Sequence, residues 1–134
     1  MTSTNSVHIR SVRADDETCW RALWTGYLEY YESSVEEQVY ITTFQRLLAA
    51  DDNEFNGLLV ERDGVAVGLA HYLFHRSCWS VENKCYLQDL YVDPSCRGQS
   101  LGRALIEAVY AAAETAGACS VWNQRRNSTA ACLR

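Results

Sequence analysis

The stretch YLQDLYVDPSCRGQSLGRALIEA, residues 86–108, passes from one kind of local structure to another, and that passage decides the fold. Its first part lies in KCYLQDLYV (84–92), an apolar and aromatic run that reads as a strand. Asp93-Pro94 stops it, because proline lacks an N–H and holds the residue before it extended. The following SLGRALIEAVYAAAETAG has helical spacing and ends at Gly117, a residue suited to the left-handed position after a helix. The turn between them sets backbone N–H groups at a helix N-terminus, where orphan donors and the positive end of the dipole favour an anion. Arg97 and Arg103 flank it, placed to add charge-assisted contacts to phosphate. Neither G-x-G-x-x-G nor GxxxxGK[ST] is present, which disfavours a dinucleotide or nucleoside triphosphate.

Outward from this stretch the elements are legible in turn. VHIRSV (7–12) alternates as a strand. DDETCWRALWTGYLEYYE (15–32) is a helix with acids in its first turn and an apolar stripe of Trp20, Leu23, Trp24, Tyr27, Leu28 and Tyr31. That stripe belongs to the core, while Glu29, Tyr30 and Glu32 fall off it and are free to face a ligand. EEQVYITTFQRLLAA (36–50) is a second helix. GLLVER and VAVGLAHYLFHRS, joined by Asp63-Gly64, form a hairpin with a favoured type I′ turn. CSVW is a short buried strand, and NSTAACLR reads as the start of a further helix. Helices interleaved with strands in this order imply an α/β (α+β) fold, a mixed sheet with helices packed on it.

A chain of 134 residues is one domain with an ordinary core. Its net charge of −5 makes duplex nucleic acid an improbable partner. The charge is uneven: residues 1–94 carry 7 basic and 15 acidic groups, and residues 95–134 carry 5 and 2. An anionic ligand at the C-terminal part and a cationic one nearer the N-terminal part would suit that asymmetry. No run approaches a membrane span and the N-terminus has no apolar signal region, so the expectation is a cytoplasmic protein without a membrane partner. The six cysteines form no CxxC pair and His8, His71 and His75 lie at no ligand spacing from them, so no metal site is expected and the thiols are read as reduced.

The passage 86–108 resembles the central motif of the GNAT superfamily of acetyl-CoA-dependent N-acetyltransferases. There a strand of the form YLxDLYV leads into a loop Arg/Gln-x-x-Gly-x-Gly/Ala that opens a long helix. Here the loop is Arg97-Gly98-Gln99-Ser100-Leu101-Gly102. The element order is similar over nearly the whole chain. The resemblance is greatest to the branch acting on small amines, the diamine and polyamine acetyltransferases and related D-amino-acid and histone acetyltransferases. That branch also has an aromatic N-terminal helix like LWTGYLEYYE (23–32) and a strand like HYLFHRSCW (71–79).

The resemblance implies acetyl-CoA as cosubstrate and direct attack by an amine in a ternary complex. It places the pyrophosphate on N–H groups of Gly98, Ser100 and Gly102, with Arg97, Gln99, Leu101 and Arg103 around it. Pantetheine would pair with the strand edge at Leu90 and Val92, and an N–H near Leu90 and Tyr91 would meet the developing oxyanion. Asn127 would complete the cofactor site. Asp89 and Tyr91 are the catalytic candidates, and Glu29, Tyr30, Glu32, Glu82 and Gln88 the candidates for the amine. Members of the polyamine branch often carry Glu where Gln88 stands, and glutamine takes no proton. Strict alternation would turn Asp89 to the face opposite Gln88. His71 and His75 share a face and are read as satisfied structural histidines rather than a base.

Two departures from the family pattern matter. Ser100 replaces a usual glycine; it would cost about 1–2 kcal/mol at positive φ, but suits an N-cap, which is the expected role. Family members carry Asn-x-x-Ala-x-x-Leu-Tyr near the end, the tyrosine protonating the departing thiolate; here Arg134 follows Leu133. The expectation is therefore a sheet lacking the usual last two strands, slow transfer, and an apolar edge at Val121 that a homodimer would cover. The alternative is a relative that binds coenzyme A as an interaction module.

Overall fold

The computed structural model describes residues 6–51, 53–123 and 128–132, the last five as backbone alone. A six-stranded sheet runs in sequence order: β1 (Val7–Ser11), β2 (Asn56–Arg62), β3 (Val65–His75), β4 (Lys84–Val92), β5 (Ser120–Asn123) and β6 (Ser128–Cys132). Neighbours are antiparallel except β4 and β5, which are parallel and joined by the crossover helix α3 (Leu101–Thr115). Two helices, α1 (Glu17–Tyr30) and α2 (Glu37–Leu47), precede β2.

The sheet is buried on both faces. On one, α3 presents Leu101, Leu105, Val109 and Ala113 at helical spacing to Leu58, Val60, Ala70 and Leu87. On the other, Trp20 and Leu23 of α1 and Phe44 and Leu47 of α2 meet Leu59 and Leu69. Alternation along β2 and β3 sorts these side chains between the two faces. Trp20 is fully buried, so truncation to alanine should cost about 3–5 kcal/mol. The β2–β3 turn has positive φ at both Asp63 (54°) and Gly64 (85°), as a type I′ turn requires. Gly117 (φ 79°) closes α3, with Gly117 N–H donating to Glu114 O and Ala118 N–H to Ala113 O, the two bonds of a Schellman cap.

The start of α1 is tied to the sheet by charge. Arg10 on β1 donates to both Asp16 carboxylate oxygens (2.7 and 2.8 Å) and to Glu61 on β2 (2.9 Å). Arg10 is first among the causes that hold the Asp16 carboxyl below its ordinary range.

The C-terminal region differs from its sequence reading. Ser128–Cys132, expected to open a helix, is a strand antiparallel to β5, with Ser120 opposite Cys132 and Asn123 opposite Ser128. An apolar stretch this short is ambiguous in period, and pairing with β5 offers its backbone partners. Val121 is therefore fully buried between β4 and β6 rather than on an open edge. The edge-covering reason for a homodimer does not hold at that residue. Asn127 and Arg134 lie outside the described residues.

Candidate active site

The turn after β4 is built by Asp93 and Pro94. Asp93 Oδ1 accepts from Ser95 N–H (2.9 Å) and Ser95 Oγ (2.8 Å), and these bonds hold the Asp93 carboxyl below its ordinary range. A short 3-10 turn at Pro94–Cys96 then leads to Gly98 (φ 83°) and Ser100. Ser100 is the N-cap of α3, as expected, but it sits in the left-handed region (φ 64°, ψ 18°) and its side chain makes no capping bond. The strained alternative is thus the one realised: serine occupies a position that favours glycine. The first intrahelical bond runs from Ala104 N–H to Ser100 O, so the N–H groups of Leu101, Gly102 and Arg103 lie at the open helix end. A Cβ on Gly102 would meet nothing nearer than Val92 Cγ2 at 3.9 Å. No packing among the described residues demands that glycine, which suits close approach by something outside them.

These residues line a cavity of about 390 Å³ between β4, the turn, α3 and the end of α1. Leu90, Tyr91, Val92, Arg97, Gly98, Ser100, Leu101 and Gly102 contribute, together with Tyr30, Tyr31 and Cys96. Gln99 and Arg103 are exposed beside it and do not line it. Arg97 donates from Nε to Val92 O (3.0 Å), with its guanidinium over the rings of Tyr30 (5.2 Å) and Tyr91 (5.6 Å). Its remaining guanidinium nitrogens make no hydrogen bond among the described residues. Tyr30, expected at an amine pocket, belongs to this cavity instead.

The edge of β4 is open here. Described pairing with β5 is confined to Cys85–Val121 and Tyr86–Trp122. Asp93 N–H bonds back to Val67 O, and the Tyr91 carbonyl faces Gly68 of β3, so peptide groups alternate and those of Leu90 and Val92 point away from β3. Leu90 N–H is therefore on the open side, and Tyr91 N–H is committed to β3. The side chain of Tyr91 passes close under α1: a Cβ on Gly26 would lie 2.5 Å from Tyr91 Oη. Burial, with Asp93 next, pushes the Tyr91 phenol up, so it stays protonated near neutral pH.

The pairing of β3 with β4 shifts between His71 and Tyr72: His71 faces Asp89, and Tyr72 faces Leu87. Gln88 is the extra residue of this bulge. Leu87 before it and Leu90 and Val92 after it all pack on the α3 face, although Leu87 and Leu90 are an odd three positions apart. The expectation that Gln88 and Asp89 face opposite ways fails for this reason. Both line a second cavity, of about 170 Å³, with walls of Trp24, Val39, Leu47 and Phe55, Thr43 beside them, and a polar end of His71, Gln88 and Asp89.

Asp89 is 7% exposed, and its Oδ2 lies 3.0 Å from His71 Nδ1. Trp20 Nε1–H donates to His71 Nε2 (3.0 Å). An indole only donates, so Nε2 is the acceptor and Nδ1 carries the proton toward Asp89. His75 is held likewise, accepting from Trp122 Nε1 (2.9 Å) with Nδ1 at Arg76 O (2.8 Å). Both histidines are satisfied structural groups, as the sequence implied. Asp89 Oδ1 makes no hydrogen bond among the described residues. Among the described residues Trp24 Nε1 is buried without a hydrogen-bond partner. Glu29, Glu32 and Glu82 are exposed and line neither cavity. What the sequence missed is the pairing of Trp20 with His71, 51 residues apart, and the bulge; the one available signal was the Trp-rich face of α1. Among the described residues no group of three or more His, Cys, Asp or Glu is placed to hold a metal ion.

The model of the acetyltransferase (GNAT) family matches residues 17–132, and the chain belongs to that family. A D-amino-acid N-acetyltransferase, HPA3 of Saccharomyces cerevisiae, is 34% identical over 115 residues, 85% of this chain and 71% of the yeast protein. Among solved structures, the aminoglycoside N-acetyltransferase AAC(6')-Iy in complex with CoA superposes with a TM-score of 0.78 at 19% identity, covering 92% of this chain and 79% of the other. A ribosomal-protein-alanine N-acetyltransferase from Brucella melitensis gives 0.74 at 18% identity over 88% and 80%. By class the protein is an acetyl-CoA-dependent N-acetyltransferase.

Proposed function

We propose that the chain transfers acetyl from acetyl-CoA to the primary amine of a small cationic or amino-acid-like molecule by direct attack in a ternary complex. The observation that carries this reading is the open end of α3 beside the open edge of β4. Leu101, Gly102 and Arg103 would offer N–H groups to the pyrophosphate, Gly102 would let it approach, and Arg97 would turn its unengaged nitrogens toward it. Leu90 and Val92 would hold the pantetheine arm through their outward peptide groups. Acetyl-CoA supplies an activated thioester carbonyl.

Leu90 N–H is the donor best placed by strand alternation to meet charge on that carbonyl oxygen. Asp89, fixed by His71, would hold the ammonium and take its proton through the cavity. The amine nitrogen bonds to the acetyl carbon as the carbon–sulfur bond breaks. Of the ammonium's three protons the amide nitrogen keeps one, a second passes through Asp89 to solvent, and the third ends on the departing thiolate, which leaves as free thiol. Tyr91 is a neutral phenol on the wall of the large cavity and is the candidate to protonate that thiolate.

A second reading, coenzyme A binding with little transfer, is favoured by one observation: Ser128–Cys132 is a strand where the family motif reads as a helix leading to its tyrosine. Calorimetric titration with acetyl-CoA followed by a thiol-release screen over an amine panel separates the two. Binding with thiol release supports transfer, binding without it supports the second reading, and no binding rejects both.

A further inference from the structure

Resting on the transferase reading, we infer that the 170 Å³ cavity selects a primary amine with one compact apolar or aromatic arm and no carboxylate. Its walls are apolar and aromatic, formed by Trp24, Val39, Leu47 and Phe55. An apolar cavity of about 150 Å³ accepts a benzene ring. This one therefore has room for a ring or a short alkyl arm and little more.

Charge decides the rest. Among the described residues Asp89 is the only carboxylate in the lining, and no lysine or arginine lines the cavity. Its Oδ2 is engaged by His71, which leaves Oδ1 for an ammonium. His71 offers nothing to an anion, since one ring nitrogen accepts from Trp20 and the other serves Asp89. An amino acid would bring its own carboxylate beside Asp89, with, among the described residues of the lining, only the neutral Thr43 and Gln88 to receive it. Beside a carboxylate that is only 7% exposed, a second negative charge is repelled strongly. A polyamine meets the opposite difficulty: its second ammonium would lie against Trp24, Leu47 or Phe55 without a counter-charge, because Glu29, Glu32 and Glu82 line neither cavity. One buried anion in an apolar box fits one cation on an apolar arm.

The test uses the full chain with saturating acetyl-CoA and four acceptors: 2-phenylethylamine, D-phenylalanine, L-phenylalanine and spermidine. Thiol release and product mass give kcat/KM, and calorimetry gives binding of each amine. The expected result is at least a tenfold advantage for 2-phenylethylamine over each of the others. Asp89→Asn should lower 2-phenylethylamine turnover at least tenfold and bring its ratio to phenylalanine toward one. If that variant does not fold, the wild-type ratios decide alone. Equal or faster turnover of either phenylalanine or of spermidine overturns the inference and leaves the transferase reading intact. Acetyl-CoA binding with no amine acetylated rejects the transferase reading, and the inference with it. No detectable binding of 2-phenylethylamine rejects the inference whatever the other acceptors do.

Discussion

Ser100→Gly should make the protein more stable. Ser100 caps α3 at φ 64°, where a side chain costs about 1–2 kcal/mol relative to glycine. Ordinarily a serine at this position would repay part of that through a capping bond, but its side chain makes none. Glycine brings greater freedom to the unfolded chain, an offset of about 0.5–1 kcal/mol. The net gain is about 0.5–1 kcal/mol. For a chain of 134 residues this corresponds to a rise in Tm of about 2–4 °C.

Differential scanning calorimetry with urea titration measures it, and Ser100→Ala is the control. Alanine keeps the backbone strain and loses no capping bond, so it should lie within about 0.5 kcal/mol of the parent chain. A loss of about 1 kcal/mol or more in Ser100→Ala would mean that the hydroxyl does cap the helix. Unchanged or lower stability in Ser100→Gly would refute the strain argument. Because the substitution also removes a Cβ at the rim of the large cavity, acetyl-CoA affinity should stay the same or rise in the glycine variant.

Arg97→Ala should weaken acetyl-CoA binding about 10- to 100-fold, from loss of about 1–3 kcal/mol of charge-assisted contact, and an unchanged calorimetric Kd would remove this side chain from the site. Gly26→Ala should displace the Tyr91 phenol, since its Cβ would meet Oη at 2.5 Å; turnover should fall more than acetyl-CoA affinity, and a kcat equal to the parent's would exclude Tyr91 as the acid. The Asp16 carboxyl is held low by Arg10, so its contribution is full above the unfolded value near 4 and is lost as pH falls through the lower folded value. Asp16→Asn should remove about 1.5–3 kcal/mol at pH 7, and a parent chain equally stable at pH 3 and pH 6 in urea titrations would contradict the linkage. Among cysteines, the Ser80 hydroxyl and then the Lys84 ammonium hold the Cys119 thiol low while burial pushes Cys85 up to about 12; alkylation at pH 7 followed by peptide mass mapping should modify Cys119 and spare Cys85 until unfolding.

Features set by local chemistry were readable in the residues. Asp63-Gly64 required a left-handed pair, Gly117 a left-handed stop, and the α1 stripe a buried face, and each follows from neighbours a few positions away. Features set by distant partners were not. Ser128–Cys132 takes its strand from β5, which supplies hydrogen bonds that no local periodicity reveals. The Gln88 bulge exists only relative to His71 and Tyr72 on another strand. Ser100 was identified as the N-cap, but its φ depends on how the turn from Asp93 enters the helix, which the identity of the residue does not encode. Glu82 was credible as an amine ligand by charge alone, and it sits before the start of β4, away from both cavities.

The bulge ties the two cavities to one strand. Along a regular strand, residues 87, 89 and 91 would share a face, and Asp89 would point with Leu87 toward α3, into an apolar core. A buried carboxylate there would meet Leu105, Val109 and their neighbours without a partner, a cost that would force its protonation. Inserting Gln88 instead sends Asp89 and Tyr91 to the face where His71 and Trp20 stand ready with directed donors, and keeps Leu90 and Val92 on the α3 face. The described pairing with β5 stops at Tyr86, before the bulge, and the Leu90 and Val92 peptide groups point away from β3. A single extra residue thus sets an anion beside the small apolar cavity and, on adjacent residues, an unpaired peptide edge beside the large one. On the proposed reading, an amine and a thioester would approach the same strand from two sides because its alternation is broken once, between them.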